Sequence, residues 1–221
     1  MSGAAVLLMA RAPRRGEVRR ALEPLLGADT CARLHAALLS RASGWGRQIA
    51  REAVYVAHDP PDAARELRAL LGPEVSLFPQ SGAGIAARVQ DAAARVFHHH
   101  QGPLLIAWPD LPGLRPEHAS AAIGDLDAGC DVTFGPVIDG GFYLVGIGRA
   151  LPRLFALPEQ DWRSPDVMAI GLAAARDAGL EIGVLRAERG LHHPADVHAA
   201  LADPLLAPDL ERILRGGTAT R

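Results

Sequence analysis

Arginines are concentrated in one short segment, RAPRRGEVRR, which directly follows the first apolar run of the chain. A guanidinium presents a planar fork of N–H donors that matches phosphate oxygens, and a glycine lets the backbone approach such a group closely. The segment therefore suits an oligophosphate site shaped by Gly16, although it would equally suit a basic loop in contact with solvent. Its five guanidiniums belong to Arg11, Arg14, Arg15, Arg19 and Arg20.

A second candidate is Asp110, which follows an apolar run in the segment AWPDLPGL and stands between two prolines. Mg²⁺ is usually held by one or two carboxylates together with substrate phosphates, so an aspartate at the end of a buried strand could carry this ion. The same residue could serve as a turn or helix-capping aspartate. The basic segment favours the metal interpretation, because both features would serve one phosphate-bearing ligand.

The third candidate is the segment IDGGFYLVG, in which Asp139, Gly140 and Gly141 precede a run typical of a strand. An Asp-Gly-Gly sequence before apolar residues is good turn chemistry and needs no further role. At the edge of a ligand site, the same residues would offer a carboxylate and an open backbone.

Composition limits the class of protein. The chain has 221 residues, of which 49% are hydrophobic and 22% charged, enough for one domain with a large core. A net charge of −2, with no aromatic residues beside the basic segment, argues against a nucleic-acid partner. The apolar run at residues 4–10 is too short to span a membrane. Cys31 and Cys130 match no metal or redox spacing, which indicates reduced packing residues of a cytoplasmic protein.

Apolar runs alternate with segments of helical periodicity, which predicts a mainly parallel sheet with helices on both faces. A single domain is expected over residues 1–215, followed by a disordered tail over 216–221. Strands are predicted at residues 4–9, 53–57, 75–78, 104–107, 131–135, 141–148 and 181–185, with a short antiparallel insertion near 131–148. Helices are predicted at residues 19–26, 28–43, 61–71, 85–97, 115–127, 163–179, 193–202 and 208–214.

Ser164 and Pro165 are predicted to be the cap and the first residue of the helix at 163–179. In sheets of this kind, ligands bind outside the carboxyl ends of the strands. The basic segment and Asp110 both follow strands, so they should meet at one edge of the sheet.

The order of motifs resembles the GT-A-fold nucleotidyltransferase-like proteins, which have a Rossmann-like three-layer fold. It is most similar to a bacterial glycosyltransferase-like family of unknown function, related to the 2-phospho-lactate and molybdenum-cofactor guanylyltransferases. The resemblance spans residues 4–203 and rests on MARAPRRGEVRRAL, GIAAR, PDLPGL, FGPVIDGGFYLVG, DWRSPDVM and HHPADV.

The resemblance implies a metal-assisted transferase that acts on a nucleotide or nucleotide sugar and a small-molecule acceptor. The divalent metal, Mg²⁺ or Mn²⁺, would be held by Asp110 with His192, and Asp110 and Asp139 would be catalytic. The implied substrate-binding residues are Arg11, Arg15, Gly16, Arg19, Arg88, Gly140 and Gly141.

Three positions depart from the family pattern. Ala21 replaces an arginine, Trp108 puts a large ring where a small residue would admit a nucleotide, and His192 replaces an acid. Nucleotidyl transfer relies on positioning and on charge stabilisation, so these losses support an alternative. In that alternative, the chain is a catalytically silent homologue that keeps the scaffold as a binding or interaction module.

Overall fold

The computed structural model describes residues 3–162 and 164–218. Within these ranges the chain forms one seven-stranded sheet, and its first strand has six consecutive buried residues. A continuous buried run of this kind belongs to a strand that is covered on both faces. The strands are β1 (Ala5–Arg11), β2 (Val54–Asp59), β3 (Ser76–Pro79), β4 (Leu104–Ala107), β5 (Val132–Pro136), β6 (Phe142–Ile147) and β7 (Ile182–Val184).

The strand order is β3-β2-β1-β4-β6-β5-β7. All neighbours are parallel except at β6, which lies antiparallel between β4 and β5. Only a tight turn joins β5 to β6, and so short a connection cannot return the chain to make a parallel neighbour. The predicted mainly parallel sheet with a short antiparallel insertion is therefore confirmed.

Helices cover both faces of the sheet. Alternate residues of β1 point to opposite sides: Val6 and Leu8 enter one hydrophobic cluster, and Leu7 and Met9 enter another. This alternation follows from the two-residue period of a strand and creates the three-layer architecture. The helices are α1 (Glu23–Leu26), α2 (Ala28–Ala50), α3 (Ala64–Leu71), α4 (Gly84–His99), α5 (Pro116–Asp127), α6 (Glu159–Trp162), α7 (Val167–Asp177), α8 (Pro194–Ala202) and α9 (Pro208–Thr218).

A third hydrophobic cluster lies away from the sheet, where α1 and the first half of α2 pack against α8 and α9. It contains Leu22, which follows the basic segment, and Leu191, which precedes His192. The third cluster therefore links two loops that are distant in sequence.

Some element boundaries differ from the predictions. Helix α7 begins at Val167, because the Ser164 hydroxyl accepts a hydrogen bond from the Asp166 backbone N–H and forms a local turn instead of a cap. Arg163, the first residue of the predicted helix, lies outside the described residues. Helix α2 continues to Ala50, seven residues beyond the prediction, because Trp45 and Gly46 remain buried against the sheet.

The last helix, α9, continues through Thr218, where a disordered tail was predicted from residue 216. The remainder of that predicted tail lies outside the described residues. Among the helices that are described, none combines the length and the apolar character that crossing a bilayer requires.

Candidate functional site

A cleft of about 1120 Å³ opens at the carboxyl ends of β1, β2, β3 and β4. These four strands are parallel, so the residues that follow them meet at one edge of the sheet. Four arginines line the cleft: Arg11, Arg19, Arg20 and Arg88. The expectation that the basic segment and Asp110 share one edge of the sheet agrees with this geometry.

Arg19 is held tightly within the cleft wall. Its side chain is 4% exposed and donates hydrogen bonds to the carbonyls of Leu191 (2.7 Å) and Pro109 (2.9 Å). It also donates to Asp110 Oδ1 at 2.6 Å. The backbone of Arg19 is left-handed, with φ of 54°, which turns this side chain inward from the start of the helical turn. Arg19 therefore joins three separate loops of the chain.

Asp110, His192 and Asp139 form a continuous chain of charges beside Arg19. His192 Nε2 lies 3.6 Å from Asp110 Oδ2, and His192 Nδ1 is in short contact with Asp139 Oδ2. The second carboxylate thus comes from the β5–β6 turn, and the imidazole comes from the loop before α8. Both ring nitrogens of His192 face carboxylates, an arrangement that suits the doubly protonated imidazolium.

The charged groups around His192 shift the pKa values of both His192 and Asp110. Interaction with Asp110 raises the pKa of His192 to about 9 against the opposing effect of burial, and Asp139 contributes in the same direction. Burial would raise the pKa of Asp110, but the positive charge of Arg19 and the contact with His192 hold it well below its usual range. At neutral pH, His192 is a cation and Asp110 an anion.

Asp196 fixes the loop that carries His192. Its buried carboxylate accepts hydrogen bonds from the backbone N–H groups of His192 (3.1 Å) and His193 (2.8 Å) and from Arg189 (2.9 Å). His193 is the N-cap of α8, and Asp196 completes a capping box at its third position. The orientation of His192 is thereby tied to the start of a helix.

His35 lies on α2 and lines the cleft with a side chain that is almost fully buried. Its Nε2 donates to the carbonyl of Arg11 at 3.1 Å, while its Nδ1 is buried and has no hydrogen-bond partner in the described part of the chain. Burial, followed by the positive charge of Arg19, lowers the pKa of His35 to about 4. His35 is therefore neutral at physiological pH.

The remaining arginines of the basic segment differ in their positions. Arg15 does not line the cleft, because its exposed side chain pairs with Asp29 at 2.9 Å on the outer surface. Arg14 pairs with Asp62 and Glu66. Gly16, with φ of 76°, borders a separate recess of about 270 Å³ that it shares with Arg11 and Arg20.

Arg88, the fifth residue of α4, projects toward the end of β2. Its guanidinium lies 3.4 Å from Asp59 Oδ2, and Arg11 reaches the same oxygen at 3.5 Å. One carboxylate is thus shared by two guanidiniums. Gln80 lies nearby, and its Nε2 donates to the carbonyls of Ala10 and Ala57.

The two glycines of the β5–β6 turn do not line the cleft. Gly140 has φ of 99°, and a Cβ at this position would overlap the carbonyl of Pro165. The Gly141 carbonyl accepts a hydrogen bond from Val137 N–H at 2.9 Å, which closes the turn. Their placement is that of a tight turn against the segment before α7, and Asp139 is the residue of this turn that reaches His192.

Aromatic side chains form the floor beside Asp110. Trp108 lines the cleft, and its ring packs edge-on against Phe142 at 5.1 Å between centroids. Trp162 packs on Phe142 and Phe155 below. Tyr143 points to the opposite face of the sheet and is buried there. Trp108 therefore packs into the core, and the cleft beside it stays open.

The donor atoms around Asp110 do not fit a bound divalent cation. One of its oxygens accepts from Arg19 at 2.6 Å, the other faces His192 Nε2 at 3.6 Å, and the second ring nitrogen of His192 already contacts Asp139. Within residues 3–162 and 164–218, no group of three or more His, Cys, Asp or Glu side chains could hold a metal ion. The two ligands that the resemblance implies, Asp110 and His192, are instead partners in an ion-pair chain.

The structure adds residues that the sequence did not single out for the site. Arg20 lines the cleft, although the sequence marked it only as one of several arginines. Gln80 and His35 also line it, and neither stands in a recognisable motif. Their positions depend on how β3 and α2 pack against β1, and no local sequence pattern reports that packing.

Comparison with known proteins agrees with this architecture. A family model described as "Uncharacterized protein conserved in bacteria (DUF2064)" matches residues 46–162, more than half of the chain. The matched range contains Arg88, Asp110 and Asp139, and the basic segment lies before it. A comparison with curated proteins gave no match.

Solved structures share the fold. A provisionally named nucleotide-diphospho-sugar transferase from Desulfovibrio desulfuricans G20 is 24% identical, with a TM-score of 0.85 over 99% of this chain and 96% of the other. A cytidylyltransferase from Leptospira borgpetersenii has 14% identity and a TM-score of 0.60, over 99% and 96% of the two chains. CMP:2-keto-3-deoxy-manno-octonic acid synthetase, complexed with CTP, has 15% identity and a TM-score of 0.56, over 91% and 98%. The fold is that of the nucleotidyltransferases and nucleotide-diphospho-sugar transferases.

Proposed function

We propose that this chain, which belongs to the DUF2064 family, is a nucleotide-dependent transferase. It would move a nucleotidyl group from a nucleoside triphosphate to a small phosphorylated acceptor, or a sugar from a nucleotide sugar to an acceptor. The observation that carries this proposal is the open cleft at the carboxyl ends of four parallel strands, with four arginines along its walls. A cleft of this shape and charge suits an elongated ligand with several phosphates.

The two reactions place different demands on the cleft. A phosphorylated acceptor attacks through an oxygen that is already an anion, so nucleotidyl transfer needs positioning and stabilisation of charge by cations. A hydroxyl acceptor must lose a proton, and Asp139, which does not line the cleft itself but contacts its lining residue His192, would be the carboxylate that takes it. Asp139 is one-third exposed and in contact with His192, which orients it.

In this proposal Arg11, Arg20 and Arg88 neutralise the phosphates of the donor. Asp110 and Arg19 would form the wall beside the reacting groups. The divalent metal that the resemblance implies at Asp110 has no role in this proposal, because Arg19 and His192 already contact the two carboxylate oxygens of Asp110. A metal ion that accompanies a nucleoside triphosphate from solution would enter as part of the substrate.

Thermal shift against nucleoside triphosphates and nucleotide sugars tests the proposal first. A ligand that binds only the native state stabilises it by about 2.7 kcal/mol at a hundred times its Kd, which is a readily measured rise in Tm. Ligands that bind would then be incubated with phosphorylated and hydroxylated acceptors, and release of pyrophosphate or of a nucleoside diphosphate would be followed. The absence of any nucleotide-induced rise from a cooperatively melting protein would refute the proposal.

The alternative is a silent homologue that binds a nucleotide without transferring any group. It is favoured by one observation, the engagement of both Asp110 oxygens by Arg19 and His192. Nucleotide binding without turnover on any acceptor would support this alternative over the transferase.

A further inference from the structure

We propose that the cleft binds the phosphates of its ligand without a divalent metal, with Arg20 as the principal phosphate contact and Arg19 as a positioning residue. This inference rests on the proposed function, since it concerns how the same cleft holds a nucleotide. It also differs from what the fold resemblance implies, in which a metal at Asp110 carries the positive charge.

Arg19 cannot itself contact a ligand. Its side chain is 4% exposed, and its two terminal nitrogens already donate to Leu191, Pro109 and Asp110. The buried guanidinium of Arg19 therefore affects the cleft indirectly, because it neutralises Asp110 and holds the Asp110 carboxylate in place. Without Arg19, Asp110 would keep only its 3.6 Å contact with His192, and its carboxylate would repel an anionic ligand more strongly.

Arg20 is placed differently. It follows Arg19 directly, its residue is exposed, and its side chain lines the cleft. Among the four cleft arginines, it alone makes no ion pair or side-chain hydrogen bond with the residues that the structure describes. A guanidinium with all five donors available, and with no carboxylate of the described residues within ion-pair distance, is well suited to bind a phosphate.

Arg11 and Arg88 can add to this charge. Both approach Asp59 only at 3.4–3.5 Å, so each guanidinium keeps donors free for a ligand. Two guanidiniums face one carboxylate at Asp59, and Glu17 and Glu159 also line the cleft, so the excess of positive charge is local to the end of β2. With Arg20, the cleft offers three guanidiniums that a triphosphate or diphosphate could reach.

The wall around Asp110 explains why a metal is not required there. Arg19 and His192 approach the same carboxylate from two sides, at 2.6 Å and 3.6 Å. A cation added at Asp110 would have to displace one of them or lie against Arg19, which repulsion opposes. The counter-charge that a metal would supply is already part of the polypeptide.

Inorganic pyrophosphate and CTP serve as probes in thermal-shift and calorimetric titrations of the full chain, in EDTA, in Mg²⁺ and in Mn²⁺. We expect the affinity for each probe in EDTA to equal that in Mg²⁺ within about twofold, and Mn²⁺ alone to leave Tm unchanged. Arg20→Ala should weaken the binding of both probes by roughly 10- to 100-fold, which is the loss expected for a hydrogen bond to a charged group. Arg65→Ala, which removes an exposed arginine on α3 outside the cleft, is the matched control and should change affinity less than about twofold.

The outcomes separate the two proposals. Binding that appears only with Mg²⁺ or Mn²⁺ overturns the metal-independent site and leaves the transferase proposal in place. Metal-independent binding that Arg20→Ala does not weaken overturns the assignment of Arg20. If neither pyrophosphate nor any nucleoside triphosphate or nucleotide sugar binds under any condition, the proposed function fails as well.

Discussion

At the scale of single residues, the pair of Arg19 and Asp110 determines the charge of the cleft wall. Arg19→Gln should destabilise the protein by about 2 kcal/mol, less than a fully buried pair would give, because Asp110 is one-third exposed. Asp110→Asn should lower the free energy of unfolding less in the Arg19→Gln variant than in the wild-type chain. Urea unfolding of both single variants and the double variant would measure a coupling free energy of about 1–2 kcal/mol. Additive effects would mean that the two side chains are not coupled.

His35 makes the stability of the fold depend on pH. Its pKa is lowered from 6.5 to about 4 in the folded chain, so the unfolded chain binds the extra proton between these values. The contribution of neutral His35 to the free energy of unfolding is therefore fully present above about pH 6.5. It is lost as the pH falls through about 4, and the loss amounts to up to about 3 kcal/mol. Protonation would place a donor on the buried Nδ1, which has no acceptor among the described residues.

Unfolding measurements across this pH range would compare the wild-type chain with His35→Gln, which keeps a donor for the Arg11 carbonyl. The variant should show a shallower loss of stability on acidification, while carboxylates elsewhere contribute equally to both proteins. If the free energy of unfolding of the two proteins falls in parallel with pH, His35 is not the source of the acid-induced loss of stability.

At the scale of elements, the β5–β6 turn depends on Gly140. Its φ of 99° and the nearby Pro165 carbonyl leave no room for a side chain, so Gly140→Ala should destabilise the protein by about 2–3 kcal/mol. Gly148→Ala is the control, since Gly148 has open space around its Cα and no positive φ. Thermal unfolding of the two variants should separate them clearly, and equal Tm values would be inconsistent with the described turn.

The strands and the mainly parallel character of the sheet were predictable from the sequence, because buried parallel strands leave continuous apolar runs such as that of β1. The strand order was not, since the pairing of β6 with β4 leaves no local sequence signal. The start of α7 was not, since Ser164 bonds locally instead of capping the helix. The extension of α2 to Ala50 depends on Trp45 packing against the sheet, a tertiary contact that periodicity does not report.

The candidate site was predictable in part, because ligand-binding residues follow the carboxyl ends of parallel strands that the sequence already indicates. Arg11, Arg19 and Arg88 were expected at the ligand edge, and all three line the cleft. Arg15 faces outward to Asp29, because the loop geometry around Gly16 decides the direction of each side chain. The engagement of Arg19 by three loops that are distant in sequence could not be derived from local spacing.

At the scale of the whole molecule, the third hydrophobic cluster supports the site from below. Leu22 lies two residues after Arg20, and Leu191 precedes His192; both are buried against α8 and α9. The last helix of the chain therefore holds together two loops of the cleft, although it contributes no residue to the cleft lining. Loss of packing in this cluster should loosen the loops before it affects the sheet.

Leu210→Ala tests this dependence, because Leu210 is fully buried in the third cluster. The variant should lose about 2–5 kcal/mol of stability, the usual range for a buried leucine. Amide hydrogen exchange should accelerate at residues 19–26 and 191–193 while β1 and β4 keep their protection. Leu205→Ala, at a leucine that is 79% exposed, should change neither quantity. Exchange that accelerates uniformly over the sheet and both loops would mean that the cluster and the sheet unfold as one unit, and that the C-terminal helices do not support the cleft separately.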